Sequence, residues 1–151
     1  MMDDLRALYE EIILDHNRNP RNYPRKPEGA NRSALGSNPL CGDEFTIHLK
    51  VNVDGVIEDV GFEGHGCAIS TASASIMLET LKGRSVTEAE ELFRGVHDVL
   101  TEETAEAADL PPKLQVLGGV RRYPMRVKCA SLPWHTMQAA LDGTDSSVTT
   151  E

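Results

Sequence analysis

No apolar run in this 151-residue chain approaches the length of about twenty residues needed to cross a bilayer. The opening residues Met1-Met2-Asp3-Asp4 are acidic where a secretory leader would be basic and then apolar. We therefore expect no membrane partner and a cytoplasmic location. Positive charge is also short: 15 Lys and Arg stand against 24 Asp and Glu, a formal net charge of −9. Non-specific nucleic-acid binding needs a basic face, so nucleic acid is not an expected partner, whereas a basic patch on a protein partner would be matched. No internal repeat and no break in composition marks a second domain. Residues 1–151 read as one domain, with a polar, flexible tail expected from about 142.

Cysteine is scarce, and its scarcity is informative. There are three, Cys41, Cys67 and Cys129, and no C-x-x-C pair among them. An odd number leaves one thiol over in any disulfide scheme, and reducing conditions would keep all three as thiols. Each sits in a motif of its own: Asn38-Pro39-Leu40-Cys41-Gly42-Asp43, Gly64-His65-Gly66-Cys67-Ala68-Ile69-Ser70, and Arg126-Val127-Lys128-Cys129-Ala130-Ser131-Leu132. Three thiols and the carboxylate of Asp43 would make a tetrahedral site if the fold gathers them. The competing interpretation is that free cysteines act as small buried hydrophobes; flanks of Gly, Asp, His and Lys rather than Leu and Val speak against it.

The periodicity predicts how the motifs meet. Leu5, Leu8, Tyr9, Ile12 and Ile13 form one stripe of a helix opened by Asp3 and Asp4 and ending near Asp15-His16. Asn17 to Asn38 reads as a surface loop. Phe45 to Val53 alternates apolar and polar as a strand with one buried face. Asp54-Gly55 is a hairpin turn, and Val56 to Phe62 returns as a second strand. A hairpin brings its far end back to its start, which carries Cys67 towards Cys41 and Asp43.

Ile69, Ala72, Ile76, Met77 and Leu81 predict a helix closed by Gly83. Thr87 with Glu90 reads as the capping box of the next helix, which carries Ala89, Leu92, Phe93, Val96 and Leu100. Thr101 to Pro112 reads as an acidic linker, followed by a short turn of helix at Leu114 to Leu117. A last helix is expected from about Cys129 to Leu141, with Pro133 in its first turn. Cys67 and Cys129 would then each open a helix, where unpaired N–H groups favour an anionic sulfur, and Lys128 adds positive charge. The fold class is α+β: a small antiparallel sheet of about three strands, the third not located, with helices packed on one side. His65 is close enough in sequence to reach the site. His135 falls on another face of its helix, His48 on the wet face of a strand, and His16 and His97 have no evident partner.

Taken in order, the three motifs resemble the U-type iron–sulfur cluster assembly family, the group of IscU, SufU and the N-terminal part of NifU. The early His16-Asn17-Arg18-Asn19-Pro20-Arg21-Asn22 and the Ala72-Ser73-Ala74-Ser75 run are similar to it as well. The resemblance spans Leu5 to about Leu141. Lys128 stands where IscU proteins carry histidine, and the stretch before Cys129 is longer, so the SufU branch is matched best. That resemblance implies a Zn2+ site of Cys41, Asp43, Cys67 and Cys129. It also implies a PLP-dependent, SufS-like cysteine desulfurase as partner. Cys41 would be the sulfur acceptor, freed from the metal by ligand exchange. The protein would be a sulfur-transfer partner of that enzyme rather than an enzyme standing alone, with downstream assembly components or apo-proteins as recipients. Two alternatives remain open: a scaffold holding a transient [2Fe–2S] cluster on the same four residues, and a purely structural zinc module.

Overall fold

The structure, a computed structural model, describes residues 2–39, 42–101, 110–120, 123–143 and 148–149. Leu40 and Cys41 lie outside them, as does most of the acidic linker at 102–109.

Nine residues with strict alternation make the central strand. In β2 (Asp43–Val51), Phe45, Ile47, Leu49 and Val51 face inward at 9 % exposure or less. The strand ends before Val53, which is fully exposed rather than buried, because Asn52 accepts the N–H groups of Asp54 and Val56 on its side-chain oxygen. Gly55, with φ +78°, completes the turn into β3 (Ile57–His65), which pairs antiparallel with β2.

The third strand comes from the segment expected to be a loop. β1 (Arg32–Asn38) pairs antiparallel with β2 from Arg32 opposite Leu49 to Asn38 opposite Asp43. A two-residue β4 (Val148–Thr149) lies parallel to β1, giving the order β3-β2-β1-β4.

The helices cover one face of this sheet. α1 (Met2–Arg18), α2 (Ala68–Leu81), α3 (Val86–Thr101), α4 (Pro112–Val116) and α5 (Pro124–Asp142) follow in chain order, with a 3-10 turn at Leu117–Val120. α5 lies against β1 and β2, α2 against α5, α1 against α2, and α3 against the outer side of α5. Phe45, Ile47, Val60 and Phe62 of the sheet meet Ile76, Met77, Leu132 and Met137 of the helices, all at 1 % exposure or less. Each such side chain contributes roughly 1.5–3 kcal/mol on burial. On the opposite face, part of the 22–31 segment lies over β3: the N–H of Arg25 donates to the carbonyl of Phe62, and Gly61 lies directly beneath Arg25 and Pro27.

Three local expectations change. The box that opens α3 is Ser85 with Glu88, each donating its N–H to the other's side chain, and not Thr87 with Glu90. α5 begins at Pro124, so Cys129 lies in its second turn and does not open a helix, and Pro133 is mid-helix. His16 has close partners and is fully buried, with Ser75 Oγ 2.7 Å from Nδ1 and Lys113 Nζ 3.1 Å from Nε2.

Candidate metal centre

The site forms where three elements begin or pass. Asp43 is the first residue of β2, Cys67 follows β3, and Cys129 is carried on α5. One donor atom from each, a carboxylate oxygen and two sulfurs, lies within 4.8 Å of the other two. Asp43 is 1 % exposed and Cys129 3 %, while Cys67 is half-buried and forms the open side.

Cys67 is the N-cap of α2, in extended backbone, as the sequence suggests. Its sulfur accepts the N–H of Ser70 at 3.4 Å, with the Ser70 hydroxyl 3.5 Å away. The helix start thus holds the sulfur in place through Ser70. The N–H of Cys67 itself donates to Oδ1 of Asp43 over 2.7 Å, leaving Oδ2 on the side of the Cys67 sulfur, 4.0 Å away.

Two glycines make this approach feasible. Gly64 has φ +114°, and a side chain there would collide with the carbonyl of Glu44. At Gly66 a Cβ would lie 2.6 Å from the ring of Phe45. Cys129 is held from the other side: Ser73 of α2 donates its hydroxyl to the carbonyl of Ala130 at 2.6 Å, pinning α5 to α2 beside the sulfur. The serine run of α2 therefore bonds as well as packs. Ser70, Ser73 and Ser75 are all buried, and each is hydrogen-bonded to a different element or residue around the helix.

The other histidines fall elsewhere. His65 is exposed, with Nδ1 3.2 Å from the carbonyl of Gly42, at the rim rather than among the donors. His135 packs edge-on against Phe93 of α3, and burial and nearby His97 push its pKa down. His48 lies between Ser33 and Glu63 at 2.7 Å from each, nearly buried on the sheet face away from the site.

A residue that sequence reasoning passed over belongs here. Asn38 is the cross-strand partner of Asp43, is fully buried, and neither its side-chain oxygen nor its nitrogen has a hydrogen-bond partner among the described residues. Its only signal in the sequence is its place at the head of the Asn-Pro-Leu-Cys motif.

A short sheet with helices on one face, and two sulfurs with a carboxylate gathered at the end of its strands, define a small α+β protein with a candidate sulfur–carboxylate metal centre. The family profile described as NifU-like N terminal domain matches residues 8–141. The zinc-dependent sulfurtransferase SufU of Bacillus subtilis is 35% identical over 139 residues, 89% of this chain and 90% of that protein. The iron–sulfur cluster assembly scaffold protein IscU of Thermotoga maritima is 39% identical over 136 residues, covering 90% and 94%. Among solved structures, FiSufU of Fervidobacterium islandicum, a candidate assembly scaffold for the SUF system, superposes with a TM-score of 0.79 at 37% identity, over 87% of this chain and 94% of that one. This chain belongs to the NifU-like N-terminal domain family of iron–sulfur cluster assembly proteins.

Proposed function

We propose that this chain is a zinc-binding sulfur-transfer protein of iron–sulfur cluster assembly, accepting sulfane sulfur from a PLP-dependent cysteine desulfurase and passing it to downstream assembly components or apo-proteins. The observation that carries the proposal is the convergence of Asp43, Cys67 and Cys129 within 4.8 Å. Four donors around zinc at about 2.0–2.3 Å would stand roughly 3.3–3.8 Å from one another, about an ångström closer than the 4.8 Å within which these three already lie. Cys41 is the fourth donor and the sulfur acceptor in this reading. It is two residues from Asp43, so about 7 Å of backbone at most separates their Cα atoms.

Bound zinc would keep its thiol ligands deprotonated at neutral pH. The chain's own groups prepare the rest. The N–H of Cys67 fixes Asp43, the N–H of Ser70 donates to the Cys67 sulfur, and the Ser73–Ala130 bond sets the depth of Cys129. In the transfer, the Cys41 thiolate attacks the terminal sulfur of the desulfurase persulfide. A new S–S bond forms on Cys41, the old one breaks, and its electron pair leaves on the desulfurase cysteine as a thiolate. No external oxidant or reductant is consumed. The whole chain acts as one domain in this account.

The test is to incubate zinc-loaded protein with a cysteine desulfurase and cysteine, then follow alanine release and the mass of the Cys41 peptide. Stimulated release with one added sulfur on Cys41 supports the proposal. No stimulation, or full stimulation by Cys41→Ala, ends it. The similarity to the T. maritima scaffold protein favours a second reading in which the same four residues hold a [2Fe–2S] cluster. Anaerobic reconstitution followed by transfer to an apo-ferredoxin decides it.

A further inference from the structure

Asn38 is a fully buried carboxamide with two N–H donors and an oxygen acceptor, none of them paired among the described residues. A buried carboxamide that meets no partner from the protein is costly. Most buried polar groups are satisfied, so an orphan of this kind calls for a partner that arrives later. Its position says where. Asn38 and Asp43 are the last facing pair of β1 and β2. Directly opposed residues of an antiparallel pair point to the same face, with Cβ atoms about 4.5–5.5 Å apart. Asn38 therefore stands beside the carboxylate that Cys67 already holds with its N–H.

The charge count says what the partner is. Two thiolates and a carboxylate outweigh a divalent cation by one negative charge, and Cys41 as a third thiolate would make the excess two. A buried anionic centre of that kind requires N–H donors around it. The main-chain N–H groups of Cys67 and Ser70 are two donors already aimed into it. We propose that Asn38 is a positioning residue for the loaded centre. Its side-chain N–H groups donate to Asp43 or to a ligand sulfur once the metal is bound, holding the excess negative charge and setting how tightly the ion is kept. This deepens the zinc reading above and rests on it.

The experiment compares wild type with Asn38→Leu, similar in bulk but without polar atoms, and Asn38→Asp, which keeps the shape and loses the donors. Three quantities are measured: the melting temperature of the metal-free protein, the Kd for zinc by chelator competition, and the sulfur-to-metal charge-transfer bands with cobalt(II). For Asn38→Leu we expect a metal-free protein that melts no lower than wild type and a zinc Kd raised about 10–100-fold. For Asn38→Asp we expect a larger rise in Kd, since it adds negative charge where charge is already in excess. In both variants the cobalt bands should shift relative to wild type. An Asn38→Leu protein that unfolds or melts lower without metal overturns the proposal, because the carboxamide then has a role in the empty fold. Unchanged zinc affinity in Leu, or tighter binding in Asp, overturns it as well. Wild type that binds no zinc removes the metal reading itself; wild type that binds as strongly as Asn38→Leu removes only the role of Asn38.

Discussion

The main-chain N–H of Cys67 donates to Oδ1 of Asp43 over 2.7 Å, so the residue that opens α2 and the residue that opens β2 are joined directly. The donor is backbone and the acceptor is side chain, and that asymmetry separates two substitutions. Asp43→Ala deletes the acceptor and leaves a part-buried N–H unpaired, at a cost of about 1–3 kcal/mol. Cys67→Ala keeps the bond and loses the sulfur's contacts, of which the N-cap contact to Ser70 contributes about 1 kcal/mol and the longer approach to Oδ2 of Asp43 less. Urea unfolding of the metal-free proteins should therefore rank Asp43→Ala below Cys67→Ala. Equal midpoints, or the reverse order, would show that the bond contributes nothing to the empty fold.

Gly64 and Gly66 set the path by which Cys67 reaches Asp43. Gly64→Ala places a methyl group on the Glu44 carbonyl in a backbone conformation with φ +114°, and Gly66→Ala drives one into the Phe45 ring. Both should lower stability by about 1–3 kcal/mol through strain and overpacking. Gly64→Ala should also separate the donors, because no rotation of a flexible side chain relieves a clash with backbone. The check is thermal melting combined with a zinc titration. A Gly64→Ala protein that melts and binds like wild type would show that the β3 end is not held as described.

How far the sequence reveals this arrangement depends on which residues carry the signal. Strand β2 is legible because Phe45, Ile47 and Leu49 alternate with polar neighbours and all three are buried. Its neighbour β1 is not, because Ala34 and Gly36 are small for a reason the sequence does not display. α5 lies so close to β1 that any side chain at Gly36 would strike the Thr136 hydroxyl. A segment made small by an approaching helix looks, in sequence, like a loop. Two prolines hide the start of α5 in the sequence: Pro124 occupies the first helical turn, whereas Pro133 sits inside the helix, where it is uncommon. The helix α2 is buried nearly all round, so a one-sided stripe understates it, and its serines find partners on α1 and α5 that local spacing cannot show. Of the four expected site residues, Asp43, Cys67 and Cys129 come together, and Cys41 lies outside the described residues.

His16 supplies a pH dependence. Burial, together with nearby Arg21 and Lys113, pushes its pKa down from 6.5 to about 4, against the opposing pull of Glu79 and Asp15. The unfolded chain binds a proton on this residue below about 6.5, and the folded chain does not until about 4. Stability from neutral His16 is thus complete above about 6.5 and falls as pH drops towards about 4, by at most on the order of 3 kcal/mol. His135, also lowered by burial, acts in the same direction. Urea midpoints measured between pH 7 and pH 5 should decline for wild type and decline less for His16→Gln. Parallel slopes would assign the dependence to other groups.

Metal removal should be felt by the whole fold, because the three gathered donors belong to β2, the start of α2 and the second turn of α5. An ion held there links the start of β2 to α2 and α5, and whatever binds the folded form alone stabilises it by mass action. At a hundredfold excess of zinc over its Kd the gain is about 2.7 kcal/mol, which for a chain of this size corresponds to roughly 10 °C in melting temperature. Scanning calorimetry with and without a zinc chelator should show a drop of that order in wild type. It should show little change in Cys129→Ala, whose sulfur is the donor contributed by α5. A wild-type transition that chelation leaves in place would mean that the donors meet without holding an ion that the fold depends on.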